Sequence, residues 1–204
     1  MKYLIYKIIV FFGWPLFKIV FRPSVIGASN IPKSGPVIIA SNHRSQLDAG
    51  SILYAPRRVV HVLGKKELFK TKIGSLFFRS MGVIPVDRSV KYENAKSSSL
   101  DILKQGNVIG IFPEGTTNKT IGTKDEVDLL PFKFGAVSFA LKSKAKIVPM
   151  VICGEYKMFK KTLVIMYGEP YEVNGDLIQE KRKLESKIWK LKKTGVEIIE
   201  KRRK

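Results

Sequence analysis

The chain has 204 residues, 45% of them hydrophobic, and its 37 Lys and Arg against 17 Asp and Glu leave a formal charge of +20. This composition excludes a disordered polypeptide and fits one domain with a sizeable core, while the charge asks for a polyanionic partner, either nucleic acid or an anionic membrane surface. The single cysteine, Cys153, excludes an internal disulfide and any cysteine-rich metal site, and fits a reducing compartment.

The first 22 residues, MKYLIYKIIVFFGWPLFKIVFR, are rich in Ile, Phe and Leu, but Lys2, Lys7, Lys18 and Arg22 interrupt them. No uncharged run reaches the roughly 18 to 20 residues of a membrane-spanning helix, and Gly13 and Pro15 are expected to bend or split a helix here. A signal peptide would need a small-residue cleavage site, where this chain has Lys18 and Arg22. The stretch reads as a monotopic anchor over 1–22, one or two short helices dipping into one leaflet with lysines reaching outward. A buried core helix is the alternative.

Next come short β-branched runs: PVIIAS (36–41), RVVHVL (58–63), GVIPVD (82–87), NVIGIF (107–112), KIVPMV (146–151) and TLVIMY (162–167). Helical patterns fall between them at 47–54, 67–80, 93–105 and 133–143. Apolar strands alternating with helices predict an α/β domain over 23–175, with a mostly parallel central sheet flanked by helices. In such sheets, sites gather where loops leave the carboxyl ends of strands. His43, Asp87–Arg88 and Glu114 all follow strands. The tail from 176 to 204 carries Leu184, Ile188, Leu191 and Ile198 among many lysines, a basic amphipathic helix that packs on the domain, lies on anionic lipid or binds RNA.

Four segments carry groups suited to chemistry. In SNHRSQLDAG (41–50), Ser45 and Asp48 have capping-box spacing. His43 and Asp48 lie about 140° apart on a regular helix, so they pair only if His43 precedes the helix and Asp48 lies in its first turn. An Asp on one ring nitrogen would leave the other free as a base; the plainer reading is a helix cap. In GVIPVDRS, Arg88 presents a guanidinium suited to phosphate, or completes a surface turn. In NVIGIFPEGTTN, the Pro113-Glu114-Gly115 turn is expected to expose Glu114. In LLPFKFGAVSFALKSKAKIVPMVI, Lys133 and Gly135 open a helix whose apolar face is ordinary core. His61, inside RVVHVL, reads as structural.

Taken in order, these segments resemble the glycerolipid acyltransferases, most closely the bacterial-type 1-acylglycerol-3-phosphate acyltransferases. NHRSQLD matches the family's NHxxxxD, and GVIPVDR, FPEGT and IVPMVI match its later blocks, with GKKELFK and LLPFKFGA as further matches. The resemblance implies that His43 is the general base, deprotonating a lysophospholipid hydroxyl, and that Asp48 orients it. It also implies that Asn42, Arg88, Glu114, Gly115 and Thr116 contact the acceptor, that Lys65 and Lys133 are auxiliary anion contacts, and that no metal or cofactor is needed. Acyl-ACP or acyl-CoA would be co-substrate, and the expected location is the cytoplasmic face of the inner membrane. One departure stands out: the family reads FPEGTRS, whereas Thr117 replaces the arginine here. A nucleic-acid protein would also suit the charge, but the sequence lacks a recognisable nucleic-acid motif.

Overall fold

The computed structural model describes residues 3–54, 58–86, 93–118 and 129–203. Seven strands are β1 (Ser24–Ile26), β2 (Val37–Ser41), β3 (Val60–Lys65), β4 (Ile84–Val86), β5 (Val108–Ile111), β6 (Lys146–Gly154) and β7 (Leu163–Tyr167). They form one sheet in the order β1-β7-β6-β2-β5-β3-β4. The five strands from β6 to β4 run parallel, β7 is antiparallel to β6, and β1 runs parallel to β7. The fold is therefore the expected α/β architecture, with a reversed pair of strands at one edge.

All five residues of β2 are buried, as a central parallel strand covered on both faces requires. The pleat sends Ile38 and Ala40 into one core and Val37 and Ile39 into the other. The first core is closed by α4 (Glu93–Lys104), α5 (Gly135–Ser143) and α6 (Leu177–Arg203), through Leu103, Phe139, Leu184, Ile188 and Ile199. The tail helix thus lays its apolar stripe on the sheet. The second core is closed by α1 (Leu4–Phe21) and α2 (Asp48–Tyr54), through Tyr6, Phe17, Ile52 and Leu53.

Three differences from the sequence expectations have physical causes. α1 is one continuous helix of 18 residues with Pro15 inside it, not two pieces. Proline costs about 3 kcal/mol in a helix interior, but here it lies on the exposed side, and packing of Tyr6 and Phe17 on either side of it outweighs the break. The helix expected over 67–80 is a 3₁₀ turn at Lys66–Phe69 followed by α3 (Lys72–Ser80), because Thr71 caps a new start by accepting from the Gly74 N–H at 3.0 Å. β1 carries too short a pattern to be read from sequence. Pro149 is tolerated within β6 because its missing N–H would share the side of its carbonyl, where β7 has already ended; the carbonyl itself accepts from the Gly168 N–H at 2.8 Å.

Candidate active site

β2 and β5 are adjacent and parallel, so their carboxyl-end loops emerge side by side, with Ala40 paired to Ile111. The loop after β2 carries Asn42, His43 and Arg44; the loop after β5 carries Glu114 to Asn118. The two loops grip each other: the His43 N–H donates to Glu114 Oε1 at 2.9 Å, and the Asn118 N–H donates to the His43 carbonyl at 2.7 Å. The backbone of His43 is held on both sides.

The imidazole is held as firmly. Nδ1 lies 3.1 Å from Asp48 Oδ2, and the Phe112 ring stacks on it, with centroids 4.0 Å apart and planes 17° from parallel. Asp48 is fully buried and takes four donors. Oδ2 accepts from the Arg44 N–H at 2.5 Å and the Ser45 N–H at 2.7 Å as well as from His43; Oδ1 accepts from the Tyr156 hydroxyl at 2.8 Å. Ser45 Oγ accepts from the Leu47 N–H and not from that of Asp48, so only the carboxylate half of the capping box forms, with Asp48 Oδ2 on the Ser45 N–H; one carboxylate both steadies the start of α2 and faces His43. With a proton on Nδ1 directed at Asp48, Nε2 carries the lone pair. That lone pair accepts from the Thr117 hydroxyl at 3.2 Å. The arrangement has the geometry a general base needs, with a hydroxyl group already at its free nitrogen.

The other expected residues fall at several depths. Glu114 is not exposed, as its turn position implied, but buried at 3%. Oε1 takes the His43 N–H, and Oε2 takes the Leu130 N–H at 2.9 Å, so this carboxylate fixes backbone instead of facing solvent. Burial raises its pKa, opposed by those two N–H bonds and then by the charges of Lys192 and His43. Asn42, expected at the acceptor, is 1% exposed and pairs both ways with the Ile152 backbone at 3.0 and 2.8 Å, clamping the loop to β6. Gly115 has φ +69, and a side chain there would meet Lys133 Nζ at 2.8 Å, so Lys133 lies across the Glu114 loop. Thr116 is exposed beside it, and Lys65 is exposed at the end of β3 on the same sheet edge. Arg88 lies outside the described residues. His61 is structural as read: its Nδ1 is 2.9 Å from the Gly82 carbonyl, and it is 3% exposed.

Sequence reasoning missed three participants. Tyr156 holds Asp48, is backed by Ser51 Oγ at 2.8 Å, and is packed by Phe17 and Phe21 of α1. Its hydroxyl pKa is pushed far up, by burial and then by the Asp48 charge, so it stays a donor. Thr117 stands out in the sequence only as the place of a missing arginine, whereas its hydroxyl lies on His43 Nε2. Lys192, 2% exposed in the apolar stripe of α6, supplies positive charge near Glu114.

Comparison with known proteins finds relatives among the acyltransferases. A sequence model of the family described as Acyltransferase matches residues 22–153. The 1-acyl-sn-glycerol-3-phosphate acyltransferase of Bacillus subtilis is 32% identical over 155 residues, spanning 72% of each protein. That of Borreliella burgdorferi is also 32% identical, over 146 residues, which are 71% of this chain and 56% of that protein. The human alpha enzyme of the same name is 35% identical over 64% of this chain and 45% of its own length. The crystal structure of the 1-acyl-sn-glycerophosphate acyltransferase from Thermotoga maritima has the same fold, with a TM-score of 0.72 and 24% identity over 98% of this chain and 81% of that one.

Proposed function

This chain belongs to the acyltransferase family, and from that premise we propose that it moves a fatty acyl group from an acyl thioester to the free hydroxyl of 1-acylglycerol 3-phosphate, giving phosphatidic acid. The observation that carries the reading is the hydroxyl of Thr117 held 3.2 Å from His43 Nε2 while Asp48 occupies Nδ1. An acceptor hydroxyl that takes the place of Thr117's is in position to lose its proton. His43 Nε2 takes that proton as the oxygen attacks the thioester carbonyl, and the buried Asp48 charge stabilises the imidazolium. The tetrahedral intermediate then collapses with cleavage of the C–S bond. The proton passes from His43 to the departing sulfur, leaving the new ester and a free thiol. Phe112 and the clamps on the His43 backbone fix the base throughout. Lys133 and Lys65, with Arg88, are the groups we assign to the acceptor phosphate or the donor's carrier.

The membrane supplies the acceptor. Tyr6 near the start of α1 accepts from the Val60 N–H at 3.1 Å, and Phe17 near its end is buried against the domain, so the helix lies along the domain surface. Its outer side displays Leu4, Ile8, Phe11, Phe12, Leu16 and Ile19, between 48% and 73% exposed. α1 is long and apolar enough to cross a membrane by length and composition, but its docked inner face favours an in-plane seat in one leaflet; we assign that leaflet to the cytoplasmic face.

The test is product formation by the purified chain in anionic liposomes, with a panel of lyso-acceptors and glycerol 3-phosphate offered against both acyl-ACP and acyl-CoA. We expect 1-acylglycerol 3-phosphate to be the preferred acceptor and His43→Ala to abolish turnover while leaving the fold intact. An active His43→Ala enzyme would sink the mechanism. Thr117 favours one second reading, a different lysolipid acceptor, which the same panel detects.

A further inference from the structure

We propose that the enzyme carries a second anion-binding cleft, separate from the catalytic pair, that takes the phosphate of an anionic lipid headgroup at the end of α1. The cleft encloses about 620 Å³ and is lined by Arg22, Lys160, Lys161 and Arg202, with the hydroxyl residues Ser24 and Thr162 between them. That volume is in the range of clefts that hold small ligands, about 300–1,000 Å³. Four cations and no carboxylate line it. The one acid of the 155–162 hairpin, Glu155, is engaged by Lys157 at 2.7 Å. None of the lining residues belongs to the loops that carry His43, Asp48 or Glu114.

The position of the cleft identifies its ligand. Arg22 ends α1 in a left-handed conformation, with its N–H on the Lys18 carbonyl at 3.0 Å, which turns the chain off the helix. Phe159 is also left-handed, and its N–H donates to the Val20 carbonyl at 2.5 Å, fastening the hairpin tip to the last turn of α1. Among the described residues only three non-glycine positions have positive φ, and two of them make this junction. The result is an ordered sequence of surfaces. Leu16 and Ile19 of α1 and Met158 and Phe159 of the hairpin tip are 62–67% exposed apolar side chains. Lys160 and Lys161 follow Phe159 directly in the chain, and Arg22 comes three residues after Ile19. Apolar side chains beside lysines and arginines are the pattern of a surface whose tips enter the acyl region while its cations meet headgroup phosphates. A soluble phosphate would account for the cations but not for the exposed apolar side chains that precede them in the chain.

The inference rests on the in-plane seat of α1, and the experiment separates the two. Full-length protein is floated with phosphatidylcholine vesicles, with and without phosphatidylglycerol. The charge-neutral variant Arg22→Gln/Lys160→Gln/Lys161→Gln/Arg202→Gln is compared with a control that removes the same charge from the opposite end of the sheet, Lys33→Gln/Lys104→Gln/Lys142→Gln/Lys144→Gln. We expect the cleft variant to lose more than about tenfold of the phosphatidylglycerol-dependent affinity, the control to lose less than about threefold, and binding to neutral vesicles, which reports the α1 seat, to be unchanged. Equal losses in the two variants would mean diffuse electrostatics and overturn the cleft. Inorganic phosphate that competes away the phosphatidylglycerol effect in the wild type would reassign the cleft to a free anion. Loss of acyl transfer by the cleft variant in detergent micelles would make it part of the catalytic site and overturn its independence. If the fourfold variant misfolds by circular dichroism, Lys160→Gln/Lys161→Gln on the exposed hairpin serves alone: a smaller but selective loss supports the cleft, and wild-type affinity refutes it.

Discussion

Replacing Asp48 with asparagine isolates what its charge contributes. Three of the four donors on Asp48, the N–H groups of Arg44 and Ser45 and Nδ1 of His43, point at Oδ2. The carboxamide that replaces the carboxylate therefore places its oxygen there and its NH2 in the position of Oδ1. The NH2 donates to Tyr156 Oη, whose own proton turns to Ser51 Oγ, 2.8 Å away. Every hydrogen bond survives and His43 keeps its Nδ1 proton, so only the negative charge is lost. A unit charge 3.1 Å from an imidazolium is worth about 5 kcal/mol at an effective dielectric of about 20. That is roughly three to four powers of ten in kcat. Asp48→Asn is thus expected to fold with a melting temperature near wild type and to lose kcat by that factor, read as diacyl product by mass spectrometry. Asp48→Ala strands three donors in a buried site and should lose stability as well. An Asp48→Asn enzyme within about tenfold of wild type would refute a role for the charge. A switch of the His43 proton to Nε2, read by 15N NMR, would refute the geometric reasoning.

Tyr156→Phe leaves Asp48 Oδ1 without its hydroxyl donor, a loss of about 1.5–3 kcal/mol for a hydrogen bond to a charged group. Turnover should drop roughly tenfold to a hundredfold with little change in KM, and an unchanged kcat would show that the hydroxyl only packs. Thr117→Arg installs the guanidinium found in the family's FPEGTRS block; KM for 1-acylglycerol 3-phosphate should fall by about tenfold if the phosphate lies there. A KM that does not move would assign the acceptor's phosphate elsewhere. Glu114 has its pKa raised chiefly by burial, so its contribution to stability is fully present below the ordinary glutamate range and is lost as pH rises through the raised value. Because Glu114→Gln cannot ionise, the melting-temperature gap, wild type minus variant, should narrow as pH rises from about 4. A pH-independent gap would contradict the assignment.

How much of this was visible beforehand depends on how far apart the partners lie in the chain. The capping-box spacing of Ser45 and Asp48 is a local pattern, and its carboxylate half forms. The runs that become β2, β5 and β6 are continuous and apolar, and a parallel sheet follows from them. The approach of the FPEGT loop to His43 depends on β5 lying beside β2, a strand order that periodicity does not encode. Tyr156 is further out of reach. It lies 108 residues from Asp48, in a hairpin with no pattern of its own, and arrives only because β6 neighbours β2. The inward turn of Glu114 has the same origin: its two N–H partners come from residues 43 and 130, which no stretch of sequence shows together.

The way α1 is seated also decides whether a water-soluble enzyme can be obtained by trimming. The Tyr6 hydroxyl satisfies the Val60 N–H and the Leu53 carbonyl, and Phe17 and Phe21 press on the tyrosine that holds Asp48. Cutting away residues 1–21 would remove the proposed lipid seat only by opening the second core to water, exchanging one apolar surface for another and loosening the His43–Asp48 pair. On the in-plane seat proposed for α1, the segment that meets the membrane is also a wall of the protein itself, so purification would replace the lipid with detergent and leave the helix in place.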